Sequence, residues 1–146
     1  MIVPARNAAA TIGKAMTALA AQDFADEWEL ILVDDGSDDA TIAEAMQAAP
    51  PGLTVIEGEG RGAGEARNAG VAASRAPLLA FTDADCEPQP EWLANGVRAM
   101  PDADLVQGRV VPDPSVPLGP FDRTLWVDRE SGFYETANLF VRRDLF

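Results

Sequence analysis

An α/β fold, a mostly parallel sheet flanked by helices, is what this sequence predicts, and three observations predict it. Short apolar runs of strand length alternate four times with segments of helical spacing. The runs Leu30-Ile31-Leu32-Val33 and Leu78-Leu79-Ala80-Phe81 hold no polar residue, as parallel strands covered on both faces do not. Aspartates follow each of these two runs, where the carboxyl ends of strands border a ligand crevice in open α/β sheets.

Taken in order, Met1-Ile2-Val3 reads as a strand end whose beginning lies upstream. Asn7 is a suitable N-cap for an Ala-rich helix with Ile12, Met16 and Leu19 on its buried face. A strand from Trp28 to Val33 runs into Asp34-Asp35-Gly36-Ser37-Asp38-Asp39, whose later polar residues can cap a helix from Thr41 to Ala48. Capping leaves Asp34 and Asp35 without a structural explanation, since both lie on the strand side of the turn. Pro50-Pro51-Gly52 stops the helix, and Leu53-Thr54-Val55-Ile56 is the next strand.

A glycine loop, Gly58 to Gly64, opens onto a helix from Glu65 to Arg75 with a small-residue stripe of Ala66, Ala69, Gly70 and Ala73. Gly58, Gly60 and Ala63 also satisfy a permissive dinucleotide fingerprint with Asp83 about 20 residues on. Later expectations are a helix from Glu91 to Met100, a strand from Asp104 to Val111, and a proline-rich irregular stretch from Pro112 to Pro120. A helix from Phe121 to Glu130 with Trp126 packed down and a strand from Glu135 to Val141 follow.

Composition narrows the chemistry. There are 24 acidic and 11 basic residues, a formal charge of −13, so a polyanion such as nucleic acid is repelled at long range. The absence of histidine and the single cysteine, Cys86, exclude Ser-His-Asp triads, His-ligated zinc and an internal disulfide. Carboxylates, arginines, hydroxyls, backbone groups or a bound metal must do the work. No apolar run has the length of a membrane span, so the expected location is cytoplasmic, at most peripheral at the inner face of the membrane.

The stretch Thr82-Asp83-Ala84-Asp85 concentrates that chemistry. Alternate residues of a strand share a face, so Asp83 and Asp85 would present two oxygens to one side as the chain leaves the sheet. Hard cations such as Mg²⁺ and Mn²⁺ take one or two carboxylates completed by substrate phosphates.

Val3-Pro4-Ala5-Arg6-Asn7, Val33-Asp34-Asp35-Gly36-Ser37, Ala66-Arg67-Asn68-Ala69-Gly70 and Thr82-Asp83-Ala84-Asp85 stand in one order along the chain. Together they resemble the family 2 glycosyltransferases of the GT-A, Rossmann-like fold. The Thr136-Ala137-Asn138 run is similar to that family's acceptor-side segment. The resemblance implies a nucleotide-diphosphate sugar donor, a divalent metal (Mn²⁺ or Mg²⁺) and direct displacement with inversion. The implied acceptor is a glycan, glycolipid or polysaccharide, as in cell-envelope polysaccharide synthesis.

Pro4, Ala5 and Arg6 would then line the nucleoside pocket, and Asp35 or its neighbour Asp34 would accept a hydrogen bond from the base. Arg67 would neighbour the base or diphosphate. Asp83 and Ala84 would lie near the ribose, Asp85 with Asp83 at the metal, and Thr136 and Asn138 toward the acceptor. The family's base, an aspartate in a Glu-Asp pair after the asparagine/arginine segment, has no counterpart before Phe146. The expectation is one nucleotide-sugar-binding domain over residues 1–146, truncated at both ends. Alternatives are a Rossmann-like dinucleotide-binding domain, a D-x-D phosphatase, and a donor-binding segment without turnover.

Overall fold

In a computed structural model describing residues 1–117, 125–129 and 134–146, the first four apolar runs become neighbouring strands. They are β1 (Ile2–Ala5), β2 (Ile31–Asp34), β3 (Thr54–Glu57) and β4 (Leu78–Thr82), joined through α1 (Ile12–Ala20), α2 (Thr41–Ala48) and α3 (Ala63–Ala73). After α4 (Trp92–Ala99) come β5 (Leu105–Gln107) and β6 (Asn138–Arg142). Among the described residues the sheet has six strands in the order β3-β2-β1-β4-β6-β5. β1 pairs in parallel with β2 and β4, and β2 with β3. β6 runs antiparallel between β4 and β5.

Strand alternation divides the core. Val3, Leu32, Ala80 and Phe140 face one layer with Ile12 and Met16 of α1, Ala45 of α2 and Leu93 of α4. Ile2, Ile31, Val33, Leu79, Phe81 and Leu139 face the other, with Ala66 and Val71 of α3. The small-residue stripe serves close approach: a Cβ on Gly70 would lie 2.5 Å from Ile2 Cγ2. Succession in sequence moves the chain from β1 outward to β3, then returns it to the far side of β1 at β4. That reversal is the switch point beside which the crevice of an open α/β sheet forms.

Several local expectations are corrected. Asn7 does not cap α1; the Thr11 and Ile12 amides donate to the Ala8 carbonyl in an intervening turn, and the helix starts at Ile12. Asn7 instead takes a left-handed backbone (φ 51°), and its side-chain carbonyl accepts the Asp38 N–H at 2.9 Å. β2 is shorter than expected because Trp28 packs on the core ahead of the sheet. The strand expected over Asp104–Val111 pairs only from Leu105 to Gln107, with an isolated bridge from Val110 to Val127. Most of the helix expected over Phe121–Glu130 lies outside the described residues. Its described part, residues 125–129, is not helical, and Trp126 is 61% exposed rather than packed down. Among the described residues no helix is long and apolar enough to cross a membrane.

Candidate functional site

The carboxyl ends of β1, β2 and β4 meet at one edge of the sheet, and the loops leaving β1 and β2 are bonded to each other. The Asn7 amide donates to Ser37 Oγ (2.9 Å), Ala8 to Thr41 Oγ1 (2.7 Å) and Ala9 to Asp39 Oδ2 (3.1 Å). The bond from the Thr41 hydroxyl, followed by backbone amides, holds the Asp39 carboxyl below its ordinary range. Pro4 and Ala5 are buried within β1, and the Ala5 carbonyl accepts the Asp35 N–H at 2.8 Å. Arg6 is the exposed member of that trio.

The two aspartates at the end of β2 have different surroundings. Asp34 is half-buried and accepts the Ser37 hydroxyl at 2.5 Å and its amide at 3.3 Å. Asp35 is 2% exposed, and the glycine loop closes around it. Its Oδ1 accepts the Gly60 (2.8 Å) and Arg61 (3.2 Å) amides, and its Oδ2 accepts the Gly62 amide (2.6 Å). Gly60 and Gly62 adopt φ of 70° and 100°, which lets successive N–H groups converge on one anion. In sequence, this loop matches a permissive dinucleotide fingerprint. In the structure the anion it cradles is the protein's own carboxylate, so those three amides are not offered to a dinucleotide.

Asp83 and Asp85 also differ in their surroundings. β4 ends at Thr82, which pairs with Asn138 at the start of β6, and both aspartates lie beyond it in a turn. The Cys86 amide closes that turn on the Asp83 carbonyl at 3.1 Å. The strand alternation expected to bring the two carboxylates to one side therefore does not apply. Asp83 Oδ1 accepts a 2.5 Å charge-assisted bond from Arg67 Nη2, the side chains being 32% and 17% exposed respectively. Arg67 Nε is buried with no partner among the described residues. Ala84 is buried in the core, while Asp85 is exposed and lines a groove.

That groove, about 680 Å³, runs from Asp85 between α4, β6 and the chain after β5. Asn138 organises it. Its Oδ1 accepts the Trp92 indole N–H at 2.7 Å, its Nδ2 donates to the Arg109 carbonyl at 2.9 Å, and its backbone carbonyl accepts the Gly108 amide at 2.9 Å. A Cβ on Gly108 would sit 2.2 Å from the Asn138 side chain, so that wall lies directly on the amide. Thr136 sits in the turn before β6, half-buried and outside the groove lining. Trp92, Gly108 and Arg109 had no signal in sequence beyond an apolar helix face and a strand.

The donor chemistry suits a metal that arrives with its own ligands. Among the described residues no three His, Cys, Asp or Glu side chains converge on one point. Asp85 is exposed at the groove and Asp83 keeps one oxygen outside its bond to Arg67; Mg²⁺ or Mn²⁺ takes one or two hard carboxylates of this kind when phosphates fill the other positions.

A half-wound parallel sheet with an inserted antiparallel strand and carboxylates at its switch point defines a GT-A glycosyltransferase fold. The chain belongs to glycosyl transferase family 2, whose family model matches residues 1–144. Glycosyltransferase AglE of Haloferax volcanii is 35% identical over 159 aligned residues, covering 99% of this chain and 52% of that protein. The mannosyltransferase PcManGT of Pyrobaculum calidifontis, solved with GDP-Man and Mn²⁺, superposes with a TM-score of 0.77 at 24% identity, over 99% of this chain and 44% of that one. TarS of S. aureus, solved with UDP-GlcNAc, gives 0.64 at 28% identity, over 77% of this chain and 36% of that one. The chain thus spans about half, or less, of the length of these relatives.

Proposed function

We propose that this chain is the donor-binding unit of an inverting, metal-dependent glycosyltransferase, which moves a sugar from a nucleoside diphosphate to a glycan or lipid-linked acceptor. The supporting observation is the division at the end of β4: Asp83 is tied to Arg67 on the α3 side, and Asp85 is open to the groove on the α4 side. The sugar donor would lie across that boundary, its nucleoside toward Arg6 and Asp34 and its transferable sugar toward the groove.

Asp34, the less buried of the β2 aspartates, takes the base contact in this arrangement, because Asp35 is filled by its own loop. A carboxylate there accepts the ring N–H of uracil, thymine or guanine, and cytosine has none to give. Arg67 fixes the Asp83 carboxylate next to the ribose and brings positive charge to an otherwise acidic edge. Asp85, assisted by Asp83, would hold the divalent ion. When bound, that ion supplies charge stabilisation for the diphosphate leaving group. Asn138 shapes the acceptor wall through Trp92 and the Arg109 carbonyl.

Calorimetric titration of UDP, GDP, dTDP and NAD⁺, each with Mn²⁺ and with EDTA, tests this function. The expected result is one nucleoside diphosphate binding in Mn²⁺ and not in EDTA. NAD⁺ binding that ignores EDTA would replace it with the dinucleotide function.

A further inference from the structure

The groove beyond Asp85 has a chemistry that selects what enters it. Trp92, Val106, Val110, Pro112 and Phe140 make its apolar lining, with the Trp92 and Phe140 rings 5.0 Å apart. Its described charged lining is Asp85, Glu87 and Asp113 against Arg109 alone. The Ser115 hydroxyl and then its amide hold the Asp113 carboxyl below the ordinary range. Lys14 stands 3.9 Å from Glu87 and also draws the Asp113 carboxyl down, so three exposed carboxylates around the groove face two exposed cations, an excess of one negative charge. A divalent ion at Asp85 would arrive with a diphosphate of opposing charge and leave this balance nearly unchanged.

An anion entering here would meet like charge between apolar walls that concentrate the field. A neutral sugar would not. Its hydroxyls can donate to Glu87 and Asp113, and its C–H face can lie on the apolar lining. A volume of about 680 Å³ is within the range of small-molecule sites. Resting on the glycosyltransferase function above, we propose that this groove is an acceptor subsite for an electroneutral carbohydrate and discriminates against carboxylated or phosphorylated ones.

Saturation-transfer NMR on the intact protein can compare the p-nitrophenyl β-glucoside, α-mannoside and β-N-acetylglucosaminide with the β-glucuronide, which differs from the glucoside only at C6. At least one neutral glycoside should bind, with the glucuronide at least about fivefold weaker at low salt. That gap should narrow in about 0.5 M NaCl and in the Glu87→Gln/Asp113→Asn double variant, whose sites are exposed. A glucuronide bound as tightly as the best neutral glycoside, or saturation of none of the four, overturns the proposal. Nucleotide titration with Mn²⁺ on the same sample reads the donor site separately. Loss of nucleotide binding with the glycoside preference intact would count against the donor function and not against the groove.

Discussion

The two ends of the crevice are held by different means. At the β1–β2–α3 end, loops are fixed by backbone amides donating to Asp34, Asp35, Ser37 and Asp39. At the β4–β6–β5 end, the groove is fixed by an antiparallel strand and by one amide side chain, Asn138, bridging α4 to the chain after β5. The first end is built from residues adjacent to strand ends and uses acidic side chains as internal anchors. The second is built from residues 46 apart, as in the Trp92–Asn138 bond, and leaves its carboxylates facing outward. Acidity therefore does two jobs in this chain: it holds loops together at one end and selects ligands at the other.

The sharpest break in that contrast is Asp85→Ala. Exposed and outside the core, Asp85 can be removed with little loss of stability, yet nucleotide affinity in Mn²⁺ should fall on the order of 100-fold. Calorimetry beside a thermal melt checks both halves. Arg67→Ala should weaken the donor complex by about 10–100-fold by freeing the half-buried Asp83, and Arg67→Lys should restore only part of it, since an ammonium lacks the planar fork.

Asp35→Ala behaves in the opposite way to Asp85→Ala. It strands three loop amides around a buried site and should cost ~2–4 kcal/mol in urea unfolding. Donor binding in Mn²⁺ should weaken while its advantage over EDTA persists. Asn138→Ala, at the other end, should cost about 1–2 kcal/mol and raise the acceptor KM while donor affinity holds.

The smallest effect concerns Glu29, which ties the approach to β2 to the end of α3. Burial opposes its ionisation, but the Ser74 hydroxyl and the Arg75 and Ala76 amides outweigh it and hold the carboxyl below 4.5. A folded-state value lower than the unfolded one means stability that is present above about pH 4.5 and lost as pH falls through the folded value. Unfolding of Glu29→Gln should therefore depend less on pH below 4.5 than the parent protein does, as acid titration of the melting temperature would report.

The sheet core was legible in the sequence for a plain reason. Leu30 to Val33 and Leu79 to Phe81 are apolar at every position, and such runs have few places to go except between two helical layers. The edge that carries the proposed site was legible too, since Asp34 closes β2, Asp35 follows it, and Asp83 and Asp85 follow β4. Side-chain direction was not. Whether Asp35 faces a ligand or its own backbone depends on a glycine loop 25 residues away, and whether Asp83 and Asp85 share a face depends on where β4 stops. Its pairing with β6 ends at Thr82 opposite Asn138, and no local pattern specifies that β6 lies between β4 and β5. Asn7 misled because a good capping residue is equally good at holding a left-handed turn.

One measurement separates the two roles of acidity most directly: calorimetric titration of the bound nucleoside diphosphate into Asp85→Ala and Asp35→Ala, each with Mn²⁺ and with EDTA. The division predicts that Asp85→Ala binds equally weakly in both conditions, whereas Asp35→Ala, though weakened, still binds more tightly with Mn²⁺. An Asp85→Ala protein that kept the full Mn²⁺ enhancement would contradict it.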